Sequence, residues 1–400
     1  MDVLLLSLVF PYPPNDGNRL PLYHYLRRLG RQVNYHLLTL APPEEGALEE
    51  GRRMLRQWGV ERVEVIEGGA GRSLAQVIQC LRHGRPWVNR FFNLELARRL
   101  EARLATGAYD AVHVEGVLAA QHLPSRPRQP VLLVARDCLS LHHRRRYQVT
   151  GERWQLAQSW KIEALERAVC RRCHRILAIS PGDRAALAQF GGGVPVEVLA
   201  NGVDMEYFTP TPEQEDPSTV VFTGAMDYPP NVDAMRYFTE RIWPRVRQGH
   251  PAARLIVAGR DPAPEIQGLD GRQGVCVTGR VPDIRPWLGR AAVAISPLRY
   301  GTGLKNKLLE GAAMGKAMVA TPVSLEGFGM QAGRDLLVAE DARTFGEHVV
   351  GLLADRASRV RLGRNARAVV ERDYAWSVIG ARLMAHYDEL VYGQGGKDRV

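Results

Sequence analysis

The segment Ser296-Pro297-Leu298-Arg299-Tyr300-Gly301-Thr302-Gly303-Leu304-Lys305-Asn306-Lys307-Leu308-Leu309-Glu310 carries the chain's most informative chemistry. The apolar run at 293–296 reads as a strand and the glycines at 301 and 303 as a turn, with a helix expected from about Lys305. Free backbone N–H groups at such a helix start favour an anion. Lys305 and Lys307 fall where the helix dipole disfavours cations, a conflict that a bound diphosphate removes. Only five of the 53 basic residues are lysines, and two stand here. The plain alternative is a solvated helix start with a Lys307–Glu310 pair.

Other chemistry-bearing residues are weaker signals. His113 and Glu115 close an apolar run at 111–114, where a histidine is more often structural than catalytic. Cys170-Arg171-Arg172-Cys173-His174 has the form of a haem-attachment motif, but it falls between an amphipathic helix and a buried strand. Chance placement at a helix end is the favoured reading, without haem or a redox or metal pair. His142-His143-Arg144-Arg145-Arg146, followed by Tyr147, Trp154 and Trp160, is either a solvated face or a patch for an anionic membrane or acidic acceptor. No nucleic-acid recognition motif accompanies the charge.

The elements that position these residues alternate. Strands are expected at 3–10, 33–39, 63–66, 111–114, 131–135 and 175–179, with helical stretches between them. The pattern restarts after Asn201-Gly202-Val203-Asp204 and a proline-rich stretch, with strands at 219–223, 254–258, 275–278, 293–296, 317–320 and 335–338. This implies α/β architecture in two doubly wound halves, with ligands in a cleft beyond the carboxyl ends of the strands.

The chain has 400 residues and a net charge of +10, which suits two globular domains and anionic partners. Five cysteines without framework spacing point to a reducing compartment. The apolar start reads as a buried strand and not a signal peptide, and no run reaches the length of a membrane span. A cytoplasmic protein, soluble or peripheral on the inner face of the plasma membrane, is expected. The tail from Gly393 is expected to fray.

The segment around Lys305 resembles the donor loop and helix of the retaining GT-B glycosyltransferases of family 4, also called group 1. Other stretches match in order. Asn201-Gly202-Val203-Asp204 with Phe208 and Pro210 resembles the hinge motif, and Phe222-Thr223-Gly224 the start of the donor domain. Val277-Thr278-Gly279-Arg280-Val281 resembles the F-x-G-x-V strand, and Gly327 with Asp335-Leu336-Leu337-Val338 the G-x-x-G-L-L-V segment. Tyr374 and Trp376 resemble the entry to the final helix. The run from Phe222 to Ala234 is most similar to transferases of bacterial exopolysaccharide and exosortase loci.

The resemblance implies two Rossmann-like domains: 1–200 on the acceptor side, with a helix at 376–392 packing back on it, a hinge at 201–217, and a nucleotide-sugar domain at 218–375. It implies that Glu310 binds the donor ribose and that Lys305 or Lys307, with Arg280, binds the diphosphate. Gly224 and Asn306 belong to the same donor site, and Gly301, Thr302, Gly303 and Leu304 meet sugar and phosphate through their backbone. From the first domain come Gly17, in the glycine loop after the first strand, on the donor, and Asn18, Arg19, His113 and Glu115 toward the acceptor.

Three positions depart from the family pattern. Thr302 replaces the first acidic residue, and Ala225 and Asn231 stand where an arginine and a lysine are usual. No histidine occurs in Leu133-Val134-Ala135-Arg136-Asp137, where Asp137 remains, and the resemblance implies Asp137, Lys307 and Glu310 as the catalytic candidates.

The expected reaction is retaining transfer of a hexose from a nucleotide-sugar to a polysaccharide or lipid-linked glycan, with no metal or other cofactor and no nucleic acid. The alternatives are a nucleotide-sugar 2-epimerase, a phosphorylase or a non-catalytic sugar-nucleotide binder of the same fold. A dinucleotide-dependent dehydrogenase is disfavoured because no G-x-G-x-x-G follows the first strand.

Overall fold

The computed structural model describes residues 1–67, 91–210 and 215–393. Part of the expected hinge, 211–214, and the expected frayed tail beyond Gly393 lie outside the described residues. The chain divides into two compact units, Met1–Ala200 joined by the chain from Ile379 onward, and Asn201–Val378.

The first unit is built on a parallel sheet whose described strands are β1 (Asp2–Ser7), β2 (Asn34–Leu40), β3 (Arg62–Ile66), β4 (Ala111–Glu115), β5 (Val131–Arg136), β6 (Arg175–Ala178) and β7 (Val196–Val198). Their order is β3-β2-β1-β4-β5-β6-β7. The central strands are unbroken apolar runs because helices cover both faces of the sheet. Val3, Leu4, Leu5, Leu6, Leu132 and Leu133 are fully buried. Each such side chain contributes about 1.5–3 kcal/mol by leaving water. The C-terminal helix Trp376–Val391 brings Ile379, Leu383, Tyr387 and Leu390, all buried, to this unit at helical spacing. At Gly380 its backbone approaches the Arg28 side chain, where a Cβ would lie 3.5 Å from that residue.

The second unit repeats the architecture with β8 (Asp216–Thr223), β9 (Arg254–Ala258), β10 (Val275–Gly279), β11 (Ala291–Ser296), β12 (Ala317–Ala320) and β13 (Leu337–Val338). Its order, β10-β9-β8-β11-β12-β13, is the same doubly wound scheme. In each unit the strand order reverses beside the first strand, between β1 and β4 and between β8 and β11. Loops at the carboxyl ends of these strands separate there and leave room for a ligand. No helix among the described residues is long and apolar enough to cross a membrane.

Candidate active site

In the second unit, β8 ends at Thr223 and the chain passes through Gly224, whose φ is +149°. Gly224 and Gly259 are in contact: a Cβ on Gly259 would fall 1.7 Å from the Gly224 carbonyl oxygen. The ends of β8 and β9 therefore close together only because glycine stands there. Asn231, buried in the helix Pro229–Tyr237, donates from Nδ2 to the Ala225 carbonyl at 2.8 Å. Its Oδ1 accepts a hydrogen bond from Lys307 Nζ at 2.6 Å. The same ammonium lies 3.9 Å from the centroid of the Phe222 ring. Lys307 thus reaches from the helix after β11 to the tip of β8, beside Ala225 and Asn231, the positions where an arginine and a lysine were expected.

The helix spans Asn306–Ala313, so Lys305 is its cap residue, one place before the expected first turn. Its Nζ donates to the Thr302 carbonyl at 2.8 Å and to the Gly303 carbonyl, from a buried position. Gly301 and Gly303 take positive φ, +141° and +67°, and the loop curls around this amine. The two lysines are therefore different devices: Lys305 braces the loop, and Lys307 points across to β8. Asn306 accepts from Asn201 Nδ2 at 3.1 Å. Glu310, one helical turn beyond Lys307, shares its field.

Burial pushes the Lys307 amine down to about 7, with Glu310 opposing the shift and Lys305 adding to it. Burial likewise pushes the Glu310 carboxyl up to about 7, against the pull of Lys307. Both groups keep some surface open, but the protein atoms around them displace most of the water that would stabilise charge. Arg280 follows β10, with β9 between it and β8, and is 62% exposed. It lies 3.6 Å from Asp261, which Arg260 holds at 2.6 Å. Gly224 and Lys307 meet at one strand end, Glu310 stands a turn further along the same helix as Lys307, and Arg280 follows the edge strand.

In the first unit, Arg136 ends β5 with a φ of +62°, a left-handed conformation that costs a residue with a Cβ about 1–3 kcal/mol. Its Nε donates to Glu115 at 2.5 Å, and its two terminal nitrogens donate to the carbonyls of Gly17 at 2.7 Å and Asn18 at 2.6 Å. Glu115 also receives His113 Nε2 at 3.0 Å. On its other side, His113 Nδ1 shares a short hydrogen bond with the Tyr387 hydroxyl, which lies 3.2 Å from the Tyr35 hydroxyl. A buried line of hydrogen bonds therefore runs from the C-terminal helix through β4 to the loop after β1. Burial alone would raise the Glu115 carboxyl, but Arg136 and the His113 hydrogen bond outweigh it and hold it below its usual range. Burial drives the Tyr387 phenol well upward, so it stays protonated as a donor.

This line changes what the acceptor-side residues can do. His113 is 0% exposed with both ring nitrogens engaged, and Glu115 is buried, so both hold the loop from beneath. Arg19 is also buried and turned into an ion pair with Glu44 at 2.6 Å. Gly17 and Asn18 remain at the surface, with open space around the Gly17 Cα. Asp137 is half-buried beside Arg136. Arg136 itself was missed in the sequence. It stands next to the place where a histidine was sought, and its left-handed φ leaves no trace in residue type.

The remaining motifs are placed plainly. Cys170 and Cys173 are buried, and desolvation drives the Cys170 thiol far upward and the Cys173 thiol up to about 12, which leaves neither reactive. In the basic run, Arg144 pairs with Glu163 at 2.7 Å and Arg146 with Glu152 at 3.2 Å.

Comparison with known proteins agrees with this geometry. Residues 22–207 match the family described as Glycosyltransferase Family 4, and residues 217–355 match Glycosyl transferases group 1. Phosphatidyl-myo-inositol mannosyltransferase of Mycobacterium tuberculosis is 25% identical over 332 residues, which is 76% of this chain and 79% of the relative. An uncharacterized 44.6 kDa protein in the cps region of Klebsiella pneumoniae is 22% identical over 39% of this chain, a match that takes in only 42% of that protein's length. Among solved structures, sucrose-phosphate synthase from Thermosynechococcus elongatus superposes with a TM-score of 0.73 at 18% identity, over 98% of this chain and 99% of that one. The chain belongs to the group 1 glycosyltransferases of GT-B fold. It is a glycosyltransferase.

Proposed function

We propose that this glycosyltransferase moves a hexose from a nucleotide-sugar donor to a polysaccharide or lipid-linked glycan acceptor, with retention at the anomeric carbon and without a metal. The observation that carries the reading is Lys307, an ammonium set against Gly224 and Asn231 in surroundings that disfavour its charge. A diphosphate at the end of β8 supplies the missing counter-charge. Lys307 exchanges its bond to Asn231 for one to a phosphate oxygen, and Glu310 accepts the ribose hydroxyls. Arg280, Asn306 and the backbone of Gly301, Thr302, Gly303 and Leu304 complete the donor site, with Lys305 holding that loop in shape.

The bond between the anomeric carbon and the phosphate oxygen breaks, and its electron pair leaves on the diphosphate. The acceptor hydroxyl attacks from the same face, and its proton passes to the departing phosphate oxygen. Lys307 stabilises the charge that grows on the leaving group. The loop after β1, whose Gly17 and Asn18 carbonyls Arg136 holds, offers Gly17 to the donor and Asn18 to the acceptor. The hexose and the lipid-linked acceptor are supported by the mannosyltransferase relative. The reaction belongs on the cytoplasmic side, where nucleotide-sugars are made.

The test is release of nucleoside diphosphate from a panel of UDP-, GDP- and ADP-hexoses, with and without bacterial lipid extract. Acceptor-dependent release, with an anomeric configuration matching the donor by NMR, is expected. Turnover without acceptor that changes the donor sugar would make the protein an epimerase. Binding without any turnover would make it a sugar-nucleotide sensor.

A further inference from the structure

The helix Trp154–Cys170 is mixed on its buried face and largely apolar on its exposed one. Its inward face carries Gln155, Ser159, Ile162, Glu166, Val169 and Cys170, all buried. Its outward stripe carries Trp154, Ala157, Trp160, Lys161, Ala164 and Ala168, all exposed. A surface helix normally turns its apolar stripe to the core. Here polar side chains fasten the helix to its neighbour Leu139–Thr150. Gln155 Oε1 lies 2.6 Å from His143 Nδ1, Ser159 Oγ donates to the Ser140 carbonyl at 3.0 Å, and Glu166 accepts from the Leu139 amide at 2.7 Å. Lys161 is the one charged side chain of the outward stripe, and the rest of it is tryptophan and alanine. Trp160, at 66% exposure, is the most exposed large hydrophobic side chain among the described residues, and Trp154 is 53% exposed.

Charge indicates what covers this stripe. The acids of the hairpin are spent internally: Glu152 on Arg146, Glu163 on Arg144 and Arg167, and Glu166 on the buried helix start. No exposed residue from 139 to 171 is acidic, whereas Arg153, Lys161 and Arg171 are exposed on or beside the helix. Tryptophan has an apolar body and a polar edge suited to the headgroup layer of a bilayer, and lysine and arginine reach from there to lipid phosphates. A second copy of this chain would set the same three cations against themselves, which disfavours self-pairing.

We propose that the outward face of Trp154–Cys170 is a docking surface for an anionic lipid bilayer, with Trp154 and Trp160 entering the headgroup layer and Arg153, Lys161 and Arg171 meeting lipid phosphates. This replaces the basic run at His142–Arg146 as the contact, because that run is occupied by Glu152 and Glu163. The inference stands independently of the donor and acceptor assignments.

The full-length protein is sedimented with phosphatidylcholine vesicles containing or lacking phosphatidylglycerol, at low and high salt. Salt-sensitive binding only to the anionic vesicles is expected, and Trp154→Ala with Trp160→Ala should weaken it roughly tenfold or more. Trp154 packs against His143 and under the Arg146 guanidinium, so the melt of each variant without vesicles is the folding control, and Trp160→Ala, the more exposed side chain, is measured alone beside the double variant and should also weaken binding. A conservative pair, Trp154→Phe with Trp160→Phe, should keep binding while losing the fluorescence quenching that brominated lipids cause in the wild type. Absence of binding by the wild type, equal binding by the alanine variant, or quenching that survives in the phenylalanine variant would each overturn the proposal. So would a dimer by light scattering, without vesicles, that the alanine variant abolishes, since the stripe would then belong to a second copy.

Discussion

The two units place ionisable groups at equivalent points, the carboxyl ends of the strands where the order reverses, and treat them in opposite ways. At the end of β4, Glu115 is buried but satisfied: Arg136 and His113 bond it, and its carboxyl is held below the usual range. At the end of β8, Lys307 and Glu310 are crowded by protein and only partly compensated, and both drift toward neutrality near 7. The same topology therefore carries a saturated network in one unit and an unsaturated one in the other. A saturated network fixes geometry, since each member is worth more bonded than free. An unsaturated one stores electrostatic cost that a ligand of the right charge relieves. The contrast separates a positioning site from a binding site without reference to any relative.

The largest way to break this contrast is to unsaturate the first network. Arg136→Gln leaves the Glu115 carboxylate buried with only His113, and removing one partner of a buried pair costs about 3–5 kcal/mol. Melting should fall accordingly, and hydrogen exchange should accelerate at Gly17 and Asn18, whose carbonyls lose their donors. The readout that distinguishes positioning from mere stability is Arg136→Lys, which keeps the charge but cannot reach three acceptors at once. It should recover much of the melting temperature while the acceptor KM stays raised. An unchanged exchange rate at Gly17 and Asn18 in Arg136→Gln would show that the loop is held by something else.

The second prediction turns on the two lysines. Lys307→Ala removes a charge from the leaving group's site, so turnover with a nucleotide-sugar should fall by roughly two or more orders of magnitude. The ligand-free protein should change little in stability, because removal of a disfavoured cation offsets the loss of its bond to Asn231. Lys305→Ala should lose both activity and stability, since its amine holds the carbonyls of Thr302 and Gly303. Turnover and unliganded melting of both variants check this. A Lys307 variant that melts well below the wild type would make that residue structural and erase the difference between the two.

Much of this was legible in the sequence, and the exceptions have physical causes. Parallel strands covered on both faces must be apolar runs, so β1, β4, β5, β9 and β11 announce themselves. β7 has only three residues behind the glycines at 191–193, too short for any pattern. The expected strand at 335–338 shrinks to Leu337–Val338 because Asp335 turns to bond the Gln331 amide and Arg334. In the loop and helix after β11, residue types singled out Lys305, Lys307 and Glu310 but treated the lysines as equals. Their difference depends on side-chain direction. Asn231 read as a missing lysine and is in fact the acceptor that holds one. The line from Tyr387 to Arg136 joins residues hundreds of positions apart, and no local pattern encodes it. The helix at 154–170 shows two faces by periodicity, but residue type does not tell which one is buried.

The smallest effect sharpens the contrast through protons. Free Lys307 titrates near 7, so at pH 8 most of it is neutral. A bound diphosphate favours its charged form and raises that value, so binding takes up a proton above pH 7, and affinity must fall as pH rises, by at most about tenfold per unit. Glu310, also near 7, runs the other way. Ribose hydroxyls donate to the carboxylate and lower its value, so binding releases a proton below pH 7 and affinity falls as pH falls. Donor affinity should therefore peak near neutrality. A nucleotide-sugar is the right probe, because its diphosphate does not itself titrate in this range. Calorimetry at pH 8 in two buffers of different ionisation enthalpy should show net proton uptake. Lys307→Ala should flatten the alkaline limb and Glu310→Gln the acid limb, while Arg136→Gln leaves both limbs in place. Equal heats in the two buffers, or an alkaline limb that persists without Lys307, would mean that the donor's charge is met elsewhere.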